Sequence, residues 1–235
     1  MNYKKFCFIT CVNDEDYYKE ALYYLRYLYV PFGFSYECRA VRGAKSMAEG
    51  YQEAMESSDA GYKIYIHQDV HILNSNLLPA LLDIFAGDND IGLIGMAGAT
   101  KEASDGMWAK QRFAGLSYGC IYETDKGGRP FFNLFEVDQS IPYKEARLVD
   151  GVFMATRHDI PWREDVFRGW HFYDLSQSAE FIRRGFKLAI PSQCGADGTI
   201  EPWCLHCGEN SGMIDKEWER YRRIYVDEYA DLLKD

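Results

Sequence analysis

Hydrophobic and polar positions follow two rhythms along the chain. Over about the first 98 residues, short runs of aromatic and β-branched side chains alternate with stretches of helical composition. Residues 5–12 form such a run, the composition of a buried strand. Asn13 or Asp14 then caps a helix with an acidic first turn, expected to continue to about Val30, where Pro31 and Gly33 stop it. Residues 34–41 read as a second strand, Arg42-Gly43-Ala44-Lys45 as a loop, and Ser46 as the opening of a helix through Met55. A third strand begins at Ile64-Tyr65-Ile66. Asn74 or Ser75 caps a helix over 77–86 that Gly87 closes, and 91–94 forms a fourth strand. Strand-helix alternation of this kind predicts an α/β fold with a mostly parallel central sheet and helices on both faces.

From residue 99 the pattern changes. Residues 119–123, a turn at Asp125-Lys126-Gly127-Gly128, and residues 131–135 read as a hairpin. Residues 147–156 form another strand, 173–184 a helix ended by Gly185, 186–190 a short apolar strand, and 215–233 a charged closing helix. The chain has no repeat, no low-complexity tract and no linker rich in Pro, Gly or Ser. The expectation is therefore one domain, with an α/β half over about 1–98, a smaller mixed β half over about 99–210 and a closing helix over 211–235.

Charge narrows the partners. With 26 Lys and Arg against 36 Asp and Glu, the 235-residue chain carries a formal charge of −10, which argues against nucleic acid, whose binding relies on cations displacing counterions. Apolar stretches fall short of the about 18 residues that a membrane-spanning helix needs. Lys4 and Lys5 before an apolar run suggest a signal peptide, but Asn13, Asp14, Glu15 and Asp16 occupy the place of a cleavage site. Seven cysteines, an odd number without an export signal, favour reduced thiols and a cytoplasmic setting.

The densest candidate chemistry lies after the third strand, where His67, Asp69 and His71 alternate in His67-Gln68-Asp69-Val70-His71. If the strand persists, alternation puts all three on one face. Open α/β sheets gather ligands outside the carboxyl ends of their strands, where these residues would sit. Solvated polar residues at a strand end are the simpler account.

The strand followed by His67 and then Asp69 resembles the metal-binding Asp-x-Asp motif of family 2 glycosyltransferases, which share the nucleotide-diphospho-sugar transferase fold called GT-A. Other segments fall in the order of that family. Thr10-Cys11-Val12-Asn13-Asp14 is similar to its nucleotide-facing strand end, and residues 46–54 to its second helix. Asp150-Gly151-Val152-Phe153-Met154 resembles its later Asp-Gly strand, and Phe172-Tyr173-Asp174 before Gly185-Phe186 and Pro191 its Glu-Asp helix start. His206 falls where a late metal-ligating histidine is common. The match spans about residues 4–208.

This resemblance implies transfer of a sugar from a nucleotide-diphosphate sugar, a UDP-sugar above others, to a saccharide or other hydroxyl acceptor, with inversion and with Mn²⁺ or Mg²⁺. It implies Asp69 and His206 as metal ligands and Asp174 as general base, a carboxylate that a helix N-terminus orients but makes less basic. Thr10, Asn13, Arg42 and Ser46 become candidates for the nucleotide, His67 for phosphate or metal, and Asp150 with Gly151 for the sugar or acceptor. Residues 1–98 would then be the nucleotide-binding half and 99–210 the acceptor and metal half. The sequence departs from the family at two positions, with His67 in place of the first acid and Tyr173 in place of a glutamate. Trp170, Phe172 and Tyr173 suggest an aromatic acceptor platform, or a packed cluster.

Three other readings compete. The face of His67, Asp69 and His71 suits a metal-dependent hydrolase. The missing acids at 67 and 173 suit a non-catalytic nucleotide-sugar binder. Cys194, Cys204, His206 and Cys207 have the donor types of a structural zinc site, with unpaired spacing.

Overall fold

The structure is a computed structural model and describes residues 1–101, 105–107, 115–125, 127–195, 197–208 and 215–233. Strand β1 (Asn2–Val12) lies one strand in from the edge of the main sheet and is followed by α1 (Glu15–Leu25), β2 (Ser35–Arg42), α2 (Met47–Glu56) and β3 (Ala60–Ile66). Asp14 starts α1 by accepting from the amides of Asp16 and Tyr17. Ser46 starts α2 by accepting from the Glu49 amide, while the Glu49 carboxylate accepts from the amide of Lys45, just before the cap. Parallel pairing sets β2 and β3 on either side of β1, with Val12 opposite Arg42 and Ile9 opposite Tyr65. The three carboxyl ends thus finish at one edge.

The rest of this sheet comes from β5 (Ile91–Gly95), β9 (Tyr143–Ala146), β11 (Phe153–Thr156) and β12 (Lys187–Pro191), in the order β2-β1-β3-β11-β5-β12-β9. Only β11 and β9 run against the others. Successive residues of β1 face opposite layers. Phe6 and Phe8 pack with Leu25 of α1 and with Leu77, Leu81 and Phe85 of α3 (Leu77–Gly87). Cys7 and Ile9 pack with Tyr51 and Met55 of α2 and Phe181 of α4 (Tyr173–Arg183). The expected mostly parallel sheet with helices on both faces is the architecture found.

A second, mixed sheet has the order β10-β6-β7-β13-β4, with β8 on the edge of β7. Its members are β4 (Val70–Ile72), β6 (Ala97–Ala99), β7 (Ser117–Thr124), β8 (Pro130–Leu134), β10 (Leu148–Val149) and β13 (Cys204–His206). The expected hairpin is β7 with β8, its turn held by Asp125, which accepts from the Gly127 amide; Lys126 lies outside the described residues.

Three sequence expectations change. The first helix ends at Leu25 instead of near Val30, because the Tyr29 amide donates to the Ser75 carbonyl and Leu28 turns into the core. The strand expected over 147–156 splits into β10 and β11, since Asp150 folds back to accept from the Val152 amide. Strand β9, whose residues Tyr143, Lys144, Glu145 and Ala146 lack a strand-like pattern, forms by pairing with β12.

The closing helix α5 (Lys216–Glu228) packs Tyr221, Tyr225 and the following Tyr229 against Phe172, Leu175 and Ala179. Glu180, buried to 7 % side-chain exposure, receives Arg163 at 3.4 Å, Arg183 at 3.5 Å and Arg184 on its carboxylate, and also the Tyr229 hydroxyl at 3.1 Å. Glu180→Ala strips Arg184 of its carboxylate and leaves Arg163 and Arg183 with only Asp165, Glu228 and Asp231 at a half-buried seam. It is expected to cost about 2 kcal/mol or more, measured as a lowered urea midpoint with an unchanged slope.

Candidate active site at the strand tips

Strand β3 ends at Ile66, and the chain turns through His67, Gln68 and Asp69 before β4. The turn is fixed from a distance. Strand β13 pairs with β4, His206 opposite Val70, and the Cys207 amide donates to the Asp69 carbonyl at 2.8 Å. This pairing brings the His206 Nε2 to 3.5 Å from Asp69 Oδ1. His67, Asp69 and His206 each offer one potential ligand atom, all within 4.8 Å of one another. A Cβ on Gly208 would lie 2.2 Å from Asp69 Oδ2 and 3.1 Å from His206 Nε2, so bare backbone forms one wall of this cluster.

The charges are ordered. Burial works to raise Asp69, but the hydrogen bond and charge of His206 prevail and hold its carboxyl below the ordinary value. Burial likewise opposes a charge on His206, yet Asp69 outweighs it and raises the imidazole. His67 is pushed down by burial and by the neighbouring His206, so it stands as a neutral imidazole at neutral pH. Its Nε2 lies 2.5 Å from the Tyr173 hydroxyl. One carboxylate and two imidazoles, close together and partly buried, suit a divalent cation that tolerates nitrogen donors.

Asp174 sits in the first turn of α4, after Phe172 in the left-handed conformation with φ 62°. Its Oδ2 accepts from the Gly151 amide at 3.0 Å. Burial and the charge of Asp150 raise this carboxyl to about 7, against the amides of Leu175, Gly151 and Asp174 itself. The sequence expectation of a less basic aspartate is thus reversed: desolvation and a second carboxylate exceed the helix terminus.

The other expected residues divide. Thr10 is buried inside β1. Asn13 is exposed at the β1 tip, where its amide and that of Asp14 both donate to Gln68 Oε1 at 2.9 Å. Arg42 makes two hydrogen bonds to Glu15, at 2.6 and 3.1 Å, beside the β1 tip. Ser46 is buried as the α2 cap. Gly151 adjoins Tyr173, whose hydroxyl would lie 2.2 Å from a Cβ at that position.

Two alternatives lose their donors. His71 does not share a face with His67 and Asp69, because the turn after Ile66 resets the alternation. Its ring stacks on Tyr24 at 4.4 Å, with Nδ1 3.5 Å from Cys207 Sγ, so the hydrolase face is not assembled. Among the described residues no cluster joins Cys194, Cys204, His206 and Cys207, and all seven thiols are free. The aromatic platform is also dismantled: Phe172 packs on Trp218 and Tyr225, Tyr173 is buried beside Tyr51 and Trp162, and only Trp170 stays exposed.

A model of the "Glycosyltransferase like family" matches residues 7–229. The chain belongs to this glycosyltransferase-like family. Among solved structures it is similar to the mannosyltransferase PcManGT from Pyrobaculum calidifontis, in complex with GDP-Man and Mn²⁺, at TM-score 0.52 and 10% identity over 98% of this chain. It spans 62% of that protein's length. It is also similar to S. aureus TarS 1-349 in complex with UDP-GlcNAc, at TM-score 0.54 and 9% identity over 97% of this chain and 71% of the other. No curated protein matches it in sequence. The fold is thus that of the GT-A glycosyltransferases. No helix among the described residues is long and apolar enough to cross a membrane.

For this glycosyltransferase-like chain, sequence reasoning gave Gln68 no role and gave Tyr173 a different one. Gln68, between His67 and Asp69, ties the turn after β3 to the β1 tip through the amides of Asn13 and Asp14. Its position inside the motif was the available signal. Tyr173 joins the site through His67, and the neighbouring Gly151 in the expected Asp-Gly strand signals the space it needs.

Proposed function

We propose that the chain transfers a sugar from a UDP-sugar to a hydroxyl acceptor, with inversion at the anomeric carbon. The observation that carries this reading is the electrostatic grouping around Asp150. Its charge raises Asp174, and it also acts on His67 and His206 of the cation cluster. His67 of the cluster meets the Tyr173 hydroxyl at 2.5 Å, and Asp174 follows Tyr173 in the chain, so a proton acceptor and a cation site lie side by side, the combination that a displacement of diphosphate requires. Donor nucleotide on the half formed by residues 1–98 and acceptor on the half formed by 99–210 complete the arrangement.

Asp174 is the base. A carboxyl held near 7 binds the acceptor proton well enough to remove it as the hydroxyl attacks, and the Gly151 amide fixes the direction of one of its oxygens. Asp69, His67 and His206 would hold a divalent cation, which would supply neutralisation of the charge developing on the departing diphosphate. Two imidazoles favour Mn²⁺ over Mg²⁺, which prefers oxygen and water. Asn13, exposed at the β1 tip and fixed by Gln68, is placed for the nucleotide, and Arg42 reaches it on leaving Glu15. The UDP and UDP-GlcNAc complexes of TarS support the uridine nucleotide, and the Mn²⁺ of PcManGT supports the cation.

A thermal-shift panel of UDP- and GDP-sugars with Mn²⁺ or Mg²⁺ tests the proposal. A ligand at 100 times its Kd stabilises the native form by about 2.7 kcal/mol, several degrees for a chain of this size. The expected result is a rise with UDP-sugars that needs a divalent cation and is larger with Mn²⁺. No shift with any nucleotide sugar removes the assignment. Binding without any turnover or donor hydrolysis favours the non-catalytic binder.

A further inference from the structure

Tyr173 is almost fully buried, at 5% exposure, yet its hydroxyl is directed at a ring nitrogen of the partly exposed cation cluster. Its ring lies against Tyr51 and Trp162, with centroids 5.9 and 6.3 Å away. Gly151 makes room for the phenol, since a Cβ there would fall 2.2 Å from the hydroxyl oxygen and 2.6 Å from the ring carbon that bears it. A buried tyrosine is thus seated by a missing side chain and ends 2.5 Å from His67 Nε2.

An imidazole has two nitrogens, and the partner of one decides what the other offers. With Nε2 taken by the phenol, His67 retains only Nδ1 as a free donor. A tyrosine hydroxyl donates to a bare nitrogen or accepts from an N–H, so the bond survives either placement of the imidazole proton. It also adds no charge beside Asp69. Resting on the cation-site reading above, we propose that Tyr173 is a positioning residue whose phenol holds Nε2 of His67 and thereby presents Nδ1 to a divalent cation at Asp69 and His206. In the loaded site, Nε2–H donates to the phenolic oxygen.

Outer partners of this kind are worth about 10–100-fold in metal affinity. Mn²⁺ binding to the full chain, without donor and read from the EPR signal of free Mn²⁺, is expected to weaken by that factor in Tyr173→Phe. The phenyl ring keeps the packing on Tyr51 and Trp162, and thermal unfolding checks that the variant is folded. A second measurement reads the ring itself: imidazole ¹⁵N NMR with Zn²⁺ as a diamagnetic probe, with His67 assigned from His67→Gln. The expected spectrum has Zn²⁺ on Nδ1 and the proton on Nε2. Should Zn²⁺ sit on Nε2, or folded Tyr173→Phe bind Mn²⁺ within about two-fold of the wild type, the role of the phenol is overturned while the cation site stands. Should the wild type bind no Mn²⁺, the cation site falls and this inference with it.

Discussion

Asp174→Asn is expected to lower the transfer rate by about 10²–10⁴-fold while leaving the protein more stable than the wild type at pH 8. The amide keeps an oxygen for the Gly151 N–H but cannot take a proton from an acceptor. The stability gain follows from the raised carboxyl. In the folded chain it titrates near 7, whereas its ordinary value is 3.8. The folded state therefore binds this proton more tightly than the unfolded state. Its contribution to stability is full below about pH 4 and is lost as the pH rises through 7. Asparagine has no such loss, so the two unfolding curves should separate between pH 4 and 7 and stay apart above. With the side chain in partial contact with solvent, the separation should reach on the order of 1–2 kcal/mol, a few degrees in Tm. With Asp174 as the proposed base, kcat/KM should climb with pH through about 7. Rates that stay level from pH 5.5 to 8.5, or an Asn variant with wild-type turnover, would remove Asp174 from the base role.

The second large effect concerns Asp69, the only carboxylate among His67, Asp69 and His206. Asp69→Ala removes the anionic donor and the partner that keeps His206 raised. Mn²⁺ affinity should fall by at least about 100-fold and turnover with it, since direct ligands matter more than the outer partners worth about 10–100-fold. Gly208→Ala reaches the same end without altering a donor, because the new methyl group would intrude on Asp69 Oδ2 and His206 Nε2. Calorimetric Mn²⁺ titrations of both variants measure this. Unchanged affinity in Asp69→Ala would mean the cation binds elsewhere.

The parallel core was legible because its information is local. Residues 5–12 and 91–94 alternate or run apolar in ways that only buried strands require, and Asp14 and Ser46 announce their helices. The break after Ile66 was not legible, since Tyr62 to His71 keeps a strand-like alternation across it. What ends β3 is pairing of β4 with β13, brought in from near residue 205. That one event assembles Asp69 with His206 and sends His71 against Tyr24. The basicity of Asp174 was hidden for a related reason. Helix position acts within a few residues, whereas Asp150 and burial depend on the packing of two elements distant in sequence. Tyr173 read as a sugar platform because aromatic content says nothing of direction, which Gly151 decides by leaving space.

Delivery of His206 by β13 also sets an order of assembly. Strands β1, β2 and β3 and the turn carrying His67 and Asp69 leave the ribosome well before β13. During synthesis, β1 can pair with β2 and β3 while the cluster still lacks His206. Cation capture at the proposed site would therefore come late in biogenesis, and a nascent chain arrested short of residue 204 should bind Mn²⁺ far more weakly than one that has emerged through Gly208.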